Sequence, residues 1–157
     1  RAMEHDTTVT SGERFAPGIF LSSDPESDTK MKLVSRKGEL AEFRFSGSRP
    51  GRWLSLNIEL GPYDLTARSV IGFMCKIRSD STTTLRACLR SGNDNGFHDS
   101  FYGKRVVSFN DISTHADLFK LEEREDIPPT APWRELLRFL PPDIRHVSLI
   151  DLALFGV

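Results

Sequence analysis

Four cations recur through one stretch of the chain, Arg68 to Gly92 (RSVIGFMCKIRSDSTTTLRACLRSG): Lys76, Arg78, Arg86 and Arg90. In extended backbone Ile71, Phe73, Cys75 and Ile77 fall on one face of a first arm, and Leu85, Ala87 and Leu89 on one face of a second. The cations then share the opposite face, where guanidinium and ammonium groups recognise anions or polyhydroxyl compounds through charge-assisted hydrogen bonds. Pairing Ile77 with Leu85 and Cys75 with Ala87 closes a hairpin over Asp80, Ser81 and Thr82. That register points Cys75 inward and Cys88 outward beside Arg86 and Arg90, so two free thiols are expected. Cys88 is then either activated by its cationic neighbours or, as the default, inert on a covered face.

If the strand bearing Trp53, Ser55, Asn57 and Glu59 lies beside this hairpin, the composite surface joins aromatic, amide and cationic groups. Pyranose C–H faces stack on aromatic rings, and hydroxyl or carboxylate oxygens accept hydrogen bonds from Arg. The same cations also suit a solvated sheet face, paired with Glu42 or Glu59 and covering apolar surface with their stems.

A second unusual stretch, Gly92 to Lys104 (GNDNGFHDSFYGK), reads as a loop carrying Phe97, His98, Phe101 and Tyr102, the kind of segment that supplies binding residues on a rigid scaffold. The succession His98, Asp99, Ser100 has the residue types of a catalytic triad. Adjacent residues in extended chain point in different directions, however, and no GxSxG elbow accompanies them. The oxygens of Asp94, Asn95 and Asp99 suit calcium, without the spacing of an EF-hand loop, and Asx turns account for the same residues without metal. His115 and Asp117 have a spacing that shares a face if extended. With two cysteines and no close His pair, neither a zinc site nor a thiol redox motif is supported, and no glycine-rich phosphate loop is present.

The elements that must position these groups read as strands. Ala41, Phe43 and Phe45 alternate with Glu42, Arg44 and Ser46, and Leu54, Leu56, Ile58 and Leu60 alternate with Trp53, Ser55, Asn57 and Glu59. Further strand-like segments are GIFL, KRVVSFN, WRELLRFL and HVSLIDLALF, separated by Gly, Pro, Asn and Asp clusters. WRELLRFL also fits a helical face, but its length and flanking prolines favour a strand. The stretch STHADLFKLEERE is the one plausible helical turn, with Ser113 as its N-cap. Seven to nine short strands need two packed layers to bury their apolar faces. The fold class expected is all-β, a two-sheet antiparallel sandwich or jelly roll with at most short helical turns, residues 1–16 forming a flexible polar amino end and 17–157 a single domain.

The chain has 157 residues, enough for one unaided core. Lys plus Arg number 21 against 22 Asp plus Glu, a net charge of −1 that lacks the basic bias usual in nucleic-acid binders. No nucleic-acid partner is expected, and any anion must be held by a local patch. No apolar run approaches the roughly 20 residues that span a bilayer, the polar start RAMEHDTTVTSGER has no secretory apolar segment, and the compartment is left open.

In strand order and texture, WLSLNIEL, VIGFMCKIRSD, TTTLRACLR, VVSFNDIS and HVSLIDLALF resemble the galactose-binding-like jelly rolls that include many carbohydrate-binding modules. The resemblance covers roughly residues 40–157 and implies a two-sheet jelly roll recognising glycans on a sheet face or at loop ends. It also implies a structural calcium, for which Asp151 is the candidate at the carboxyl side. The leading expectation is a non-catalytic carbohydrate-binding module, for an anionic glycan, using Trp53, Asn57, Lys76, Arg78, Arg86, Arg90, Phe97, His98 and Tyr102. The alternatives are an accessory domain contacting a neighbouring protein domain and, third, a polysaccharide hydrolase or lyase.

Overall fold

The computed structural model describes residues 6–34, 41–107 and 111–157. Its strands are β1 (Asp6–Val9), β2 (Arg14–Ala16), β3 (Ile19–Ser23), β4 (Lys30–Val34), β5 (Ala41–Ser46), β6 (Leu54–Gly61), β7 (Val70–Ser79), β8 (Thr83–Asn93), β9 (Gly96–Val107), β10 (Ser113–Lys120), β11 (Arg134–Leu140) and β12 (His146–Gly156). Every pairing between them is antiparallel. A back sheet runs β1-β4-β5-β12-β7-β10 and a front sheet β2-β3-β6-β11-β8-β9. The two-sheet sandwich expected from the period-two pattern is therefore what forms. WRELLRFL is a strand, and β1 and β2, drawn from the expected amino end, occupy one edge of each sheet. Residues 1–5 of that end and 108–110 of the segment KRVVSFN lie outside the described residues.

Three expectations need correction, two of them local. Residues 113–120 form a strand paired with β7, and the only helical turn among the described residues is Leu121–Glu123. The alternation His115, Asp117, Phe119 (buried) against Thr114, Ala116, Leu118 (exposed) outweighs the helical spacing of Leu118 and Leu121. The segment from Gly92 to Lys104 is likewise no loop. β8 continues through Asn93, turns at Asp94 and Asn95, and returns as β9, with Asn93 facing Gly96. The Asn93 side-chain oxygen accepts from the Asn95 N–H at 2.9 Å, and Gly96 sits at φ +131°, a conformation side chains other than glycine rarely adopt.

The larger correction concerns β7 and β8. They are not a hairpin: β7 pairs with β12 and β10 in the back sheet, whereas β8 pairs with β11 and β9 in the front sheet. The turn at 80–82 carries the chain from one sheet to the other. Both apolar faces still meet, across the core rather than side by side, because Ile71, Phe73, Cys75 and Ile77 from the back sheet are buried together with Leu85, Ala87 and Leu89 from the front.

A polar layer divides this core. On one side lies a cluster including Phe43, Phe45, Leu54, Leu56, Ile77 and Val147, and on the other a cluster including Ile71, Phe73, Leu89, Phe119 and Leu136. Between Leu136 and Leu140 on β11, the inward residue is Arg138. It meets Asp117 of β10 at 2.5 Å, and Arg105 of β9 meets the other carboxylate oxygen at 3.1 Å. Asp117 is fully buried and Arg138 nearly so, while Arg105 is half exposed. The contact is an ion pair clasping the two sheets rather than an aligned set of hydrogen bonds: Nε and Nη2 of Arg138, with Oη of Tyr102 and Nε2 of His115, are buried without hydrogen-bond partners. Burial among cations keeps His115 below its ordinary pKa. The sequence spacing that placed His115 and Asp117 on one face is thus a feature of the interior.

Candidate functional site

The outer face of the front sheet collects the groups that recognise polar ligands. Register aligns them in rows across the strands: Ser22, Ser55, Phe139, Arg86 and Lys104; then Phe20, Asn57, Leu137, Cys88 and Phe101; then Glu59, Glu135, Arg90 and Asp99. The middle of this face is a groove of about 450 Å³ lined by Ser22, Trp53, Ser55, Asn57, Arg90, Phe97, Leu137 and Phe139.

Each polar group is held by a neighbour. The Ser55 hydroxyl donates to Asn57 Oδ1 at 2.6 Å, and Asn57 Nδ2 donates to Glu135 Oε1 at 2.6 Å, which fixes the amide's orientation along the floor. Arg90 donates a two-pronged fork to Asp99 at 2.8 and 2.9 Å, while its guanidinium lies 3.9 Å from the centroid of the Phe97 ring. Arg86 lies 4.2 Å over Phe101, which in turn stacks on Phe139 with centroids 6.3 Å apart. At the far end of the face Trp133 meets Phe97 edge to face at 6.4 Å and packs flush on Gly92, where any Cβ would collide with the indole. Arg134 anchors this corner from the inside, donating to Tyr63 O, Pro128 O and Ser91 Oγ at 2.7 to 2.9 Å.

Of the residues expected to bind, Trp53, Asn57, Arg86, Arg90 and Phe97 come together here. Lys76 and Arg78 do not, because β7 belongs to the back sheet and their outward face is the opposite side of the molecule. Tyr102 is buried between the sheets, stacked on Phe119 at 3.4 Å, and burial raises its pKa. His98 points away from the groove into a second pocket of about 530 Å³, with Asn93, Asp94, Glu125, Asp126 and Thr130, which carries no Phe, Tyr or Trp. Ser100 is inward and donates to Asp126 O at 3.1 Å, and alternation puts His98 on that same face of β9 while Asp99 goes to the other, against Arg90.

The groups weighed for calcium are also distributed. Asp94 and Asn95 form the tip of the β8–β9 turn, and Asp99 is engaged by Arg90. Asp151 is on β12, its side chain outside the described residues. No group of three His, Cys, Asp or Glu that could hold a metal occurs among the described residues. The groove floor residues that the sequence did not single out are Leu137, Phe139 and Glu135. Their signal was the alternation within WRELLRFL, which places these three on one face and Arg134, Leu136, Arg138 and Leu140 on the other.

Cys88 faces outward, as its place between Arg86 and Arg90 predicts, but lies buried in the floor among Leu137 and Phe101. Burial pushes its thiol up to about 12, against the activation that neighbouring cations would give. Both cysteines are free, Cys75 inward on the back sheet. A thiol reagent at pH 8 is therefore expected to label neither in the native protein and both after denaturation. Rapid native labelling of one thiol would contradict the closed floor.

No protein-family model and no curated protein matches the chain. Solved structures do. A CBM4 structure superimposes with a TM-score of 0.64 at 13% identity, covering 96% of this chain and 95% of that one. The CBM22-1 xylan-binding domain of Paenibacillus barcinonensis Xyn10C gives 0.62 at 9% identity, covering 98% and 96%. The family 11 carbohydrate-binding module of Lic26A-Cel5E from Clostridium thermocellum gives 0.59 at 16% identity, covering 99% and 97%. The chain thus has the β-sandwich fold of these modules over its whole length, as the jelly-roll resemblance implied.

Proposed function

We propose that the chain is a non-catalytic carbohydrate-binding module whose ligand lies along the groove of the front sheet. One observation carries the reading: Trp53, Phe97 and Phe139 line the same groove as the locked amide of Asn57 and the fork of Arg90. Half-exposed rings beside fixed donors and acceptors are what a sugar, apolar on its faces and polar on its rim, requires. The solved structures of this fold that are named for carbohydrate or xylan binding support it. The carboxylates of this face are engaged internally, Glu59 with Arg14, Asp99 with Arg90 and Glu135 with Asn57, which favours binding over hydrolysis.

Electrophoresis through gels containing a panel of soluble β-glucans, xylans, mannans and pectins tests it. At least one polysaccharide is expected to retard the protein, and Asn57→Ala to reduce that retardation about tenfold in apparent affinity, since the amide's loss also unties Glu135. Retardation by none would overturn the reading.

A second reading, an accessory domain contacting a protein neighbour, draws on the back sheet. There Leu118 and Phe155 close over Gly72 beside Met74, and all three side chains are exposed.

A further inference from the structure

The front sheet twice sets an arginine over a phenylalanine of β9, and the residue facing the arginine differs between the two places. In the first, Arg90 lies over Phe97 and faces Asp99 across the β8–β9 ladder, so a carboxylate fills the guanidinium fork. In the second, Arg86 lies over Phe101, and the residue facing it across the same ladder is Lys104. Arg86 and Lys104 are both exposed, and neither meets an acidic side chain among the described residues. Opposed unlike charges stabilise a strand pair, and opposed like charges destabilise it. Two cations therefore face each other across the ladder, one of them over an aromatic ring, where the first unit pairs its cation with a carboxylate.

We propose that Arg86 and Lys104 form a subsite for the carboxylate of a uronic acid residue, at the Phe139 end of the groove. Arg86 faces Phe139 across the β8–β11 ladder, so a sugar stacked on Phe139 presents its substituent to the two cations. A carboxylate matches the planar fork in the way Asp99 matches Arg90, with two parallel N–H donors, and the Lys104 ammonium adds a third. Elsewhere on this face Arg90 is paired with Asp99 and Arg14 with Glu59, so the preference for an anion is local to this end. A ligand chain is thereby oriented, its acidic unit at Arg86 and neutral units toward Asn57. The inference rests on the groove reading above and assigns it a substrate class.

Matched polymers separate the two ideas. Glucuronoxylan and polygalacturonate, each used as such and after carboxyl reduction to the neutral polymer, are titrated with wild-type protein and with Arg86→Gln/Lys104→Gln. The wild type is expected to bind at least one acidic polymer about tenfold more tightly than its reduced form at low salt, with the preference shrinking at high salt as screening sets in. The double variant should bind the acidic and the reduced forms with equal affinity. Lys104→Gln alone, which leaves the stack of Arg86 on Phe101 intact, should lose part of the preference, and this guards against a folding defect in the double variant. Equal wild-type affinity for acidic and reduced forms, or a preference that survives in the double variant, would overturn the subsite while leaving the groove standing. Binding of neither form, together with a blank polysaccharide panel, would overturn both.

Discussion

Asp117→Ala is expected to cost about 3–5 kcal/mol of folding stability and to lower the melting temperature by roughly 10 °C, as read by urea and thermal unfolding. The reason lies in what the substitution leaves behind. Arg138 is 3% exposed and projects from the front sheet into the interior, where Asp117 is the acidic group it meets. Its Nε and Nη2 already lack hydrogen-bond partners. Without Asp117 a full positive charge stays between two apolar clusters with nothing to offset its lost hydration. Arg105, being half exposed, can turn to water and loses little. The corollary is specific: Asp117→Leu combined with Arg138→Met removes both charges and should recover most of the loss, because apolar residues of similar volume replace a buried pair at little cost. A single Asp117→Ala variant within about 1 kcal/mol of wild type would mean the clasp behaves as a surface pair.

That clasp also shows where reading the chain succeeds and fails. Alternation identified β5 to β8 and their inward apolar residues, since a period of two is a local property of extended backbone. Alternation says nothing about which strands are neighbours. Ile77 and Leu85 face one core whether β7 and β8 pair in one sheet or oppose each other across two, and the difference decides whether Lys76 and Arg78 join Arg86 and Arg90 or stand on the far side. The same limit hid the groove floor. In WRELLRFL the inward face carries Arg134 and Arg138 and the outward face Leu137 and Phe139, the reverse of the usual arrangement. Only partners distant in sequence, Asp117 for Arg138 and the carbonyls of Tyr63 and Pro128 for Arg134, make that inversion stable. Asn57, Arg86 and Arg90 were legible as members of one outward face because they alternate with inward apolar residues along their strands. Tyr102 and His98 were misplaced because their segment reads as a loop, and only as strand β9 does alternation send them, with Ser100, to the face opposite Phe97, Asp99 and Phe101.

Removing two rings that line the groove, Trp53→Ala with Phe139→Ala, is expected to weaken oligosaccharide binding at least about 30-fold, the equivalent of one aromatic hot spot of about 2 kcal/mol. Titration calorimetry with a neutral oligosaccharide taken from whichever polysaccharide retards the wild type measures it. Phe139 carries more than its own contact area, because Phe101 stacks on it and Arg86 lies over Phe101, so its loss loosens three groups along one row. Trp53 lines the same groove two residues before Ser55, the residue that faces Phe139 across the β6–β11 ladder. Both side chains are partly exposed, so the folded state should keep most of its stability, unlike the Asp117 variant. The two substitutions therefore predict opposite patterns. Asp117→Ala lowers the melting temperature and leaves affinity per folded molecule unchanged, whereas the ring-deleted variant melts close to wild type and binds poorly. Unchanged affinity in the ring-deleted variant would place the ligand off this face, with the pocket around His98 and Asp126 as the next site to test.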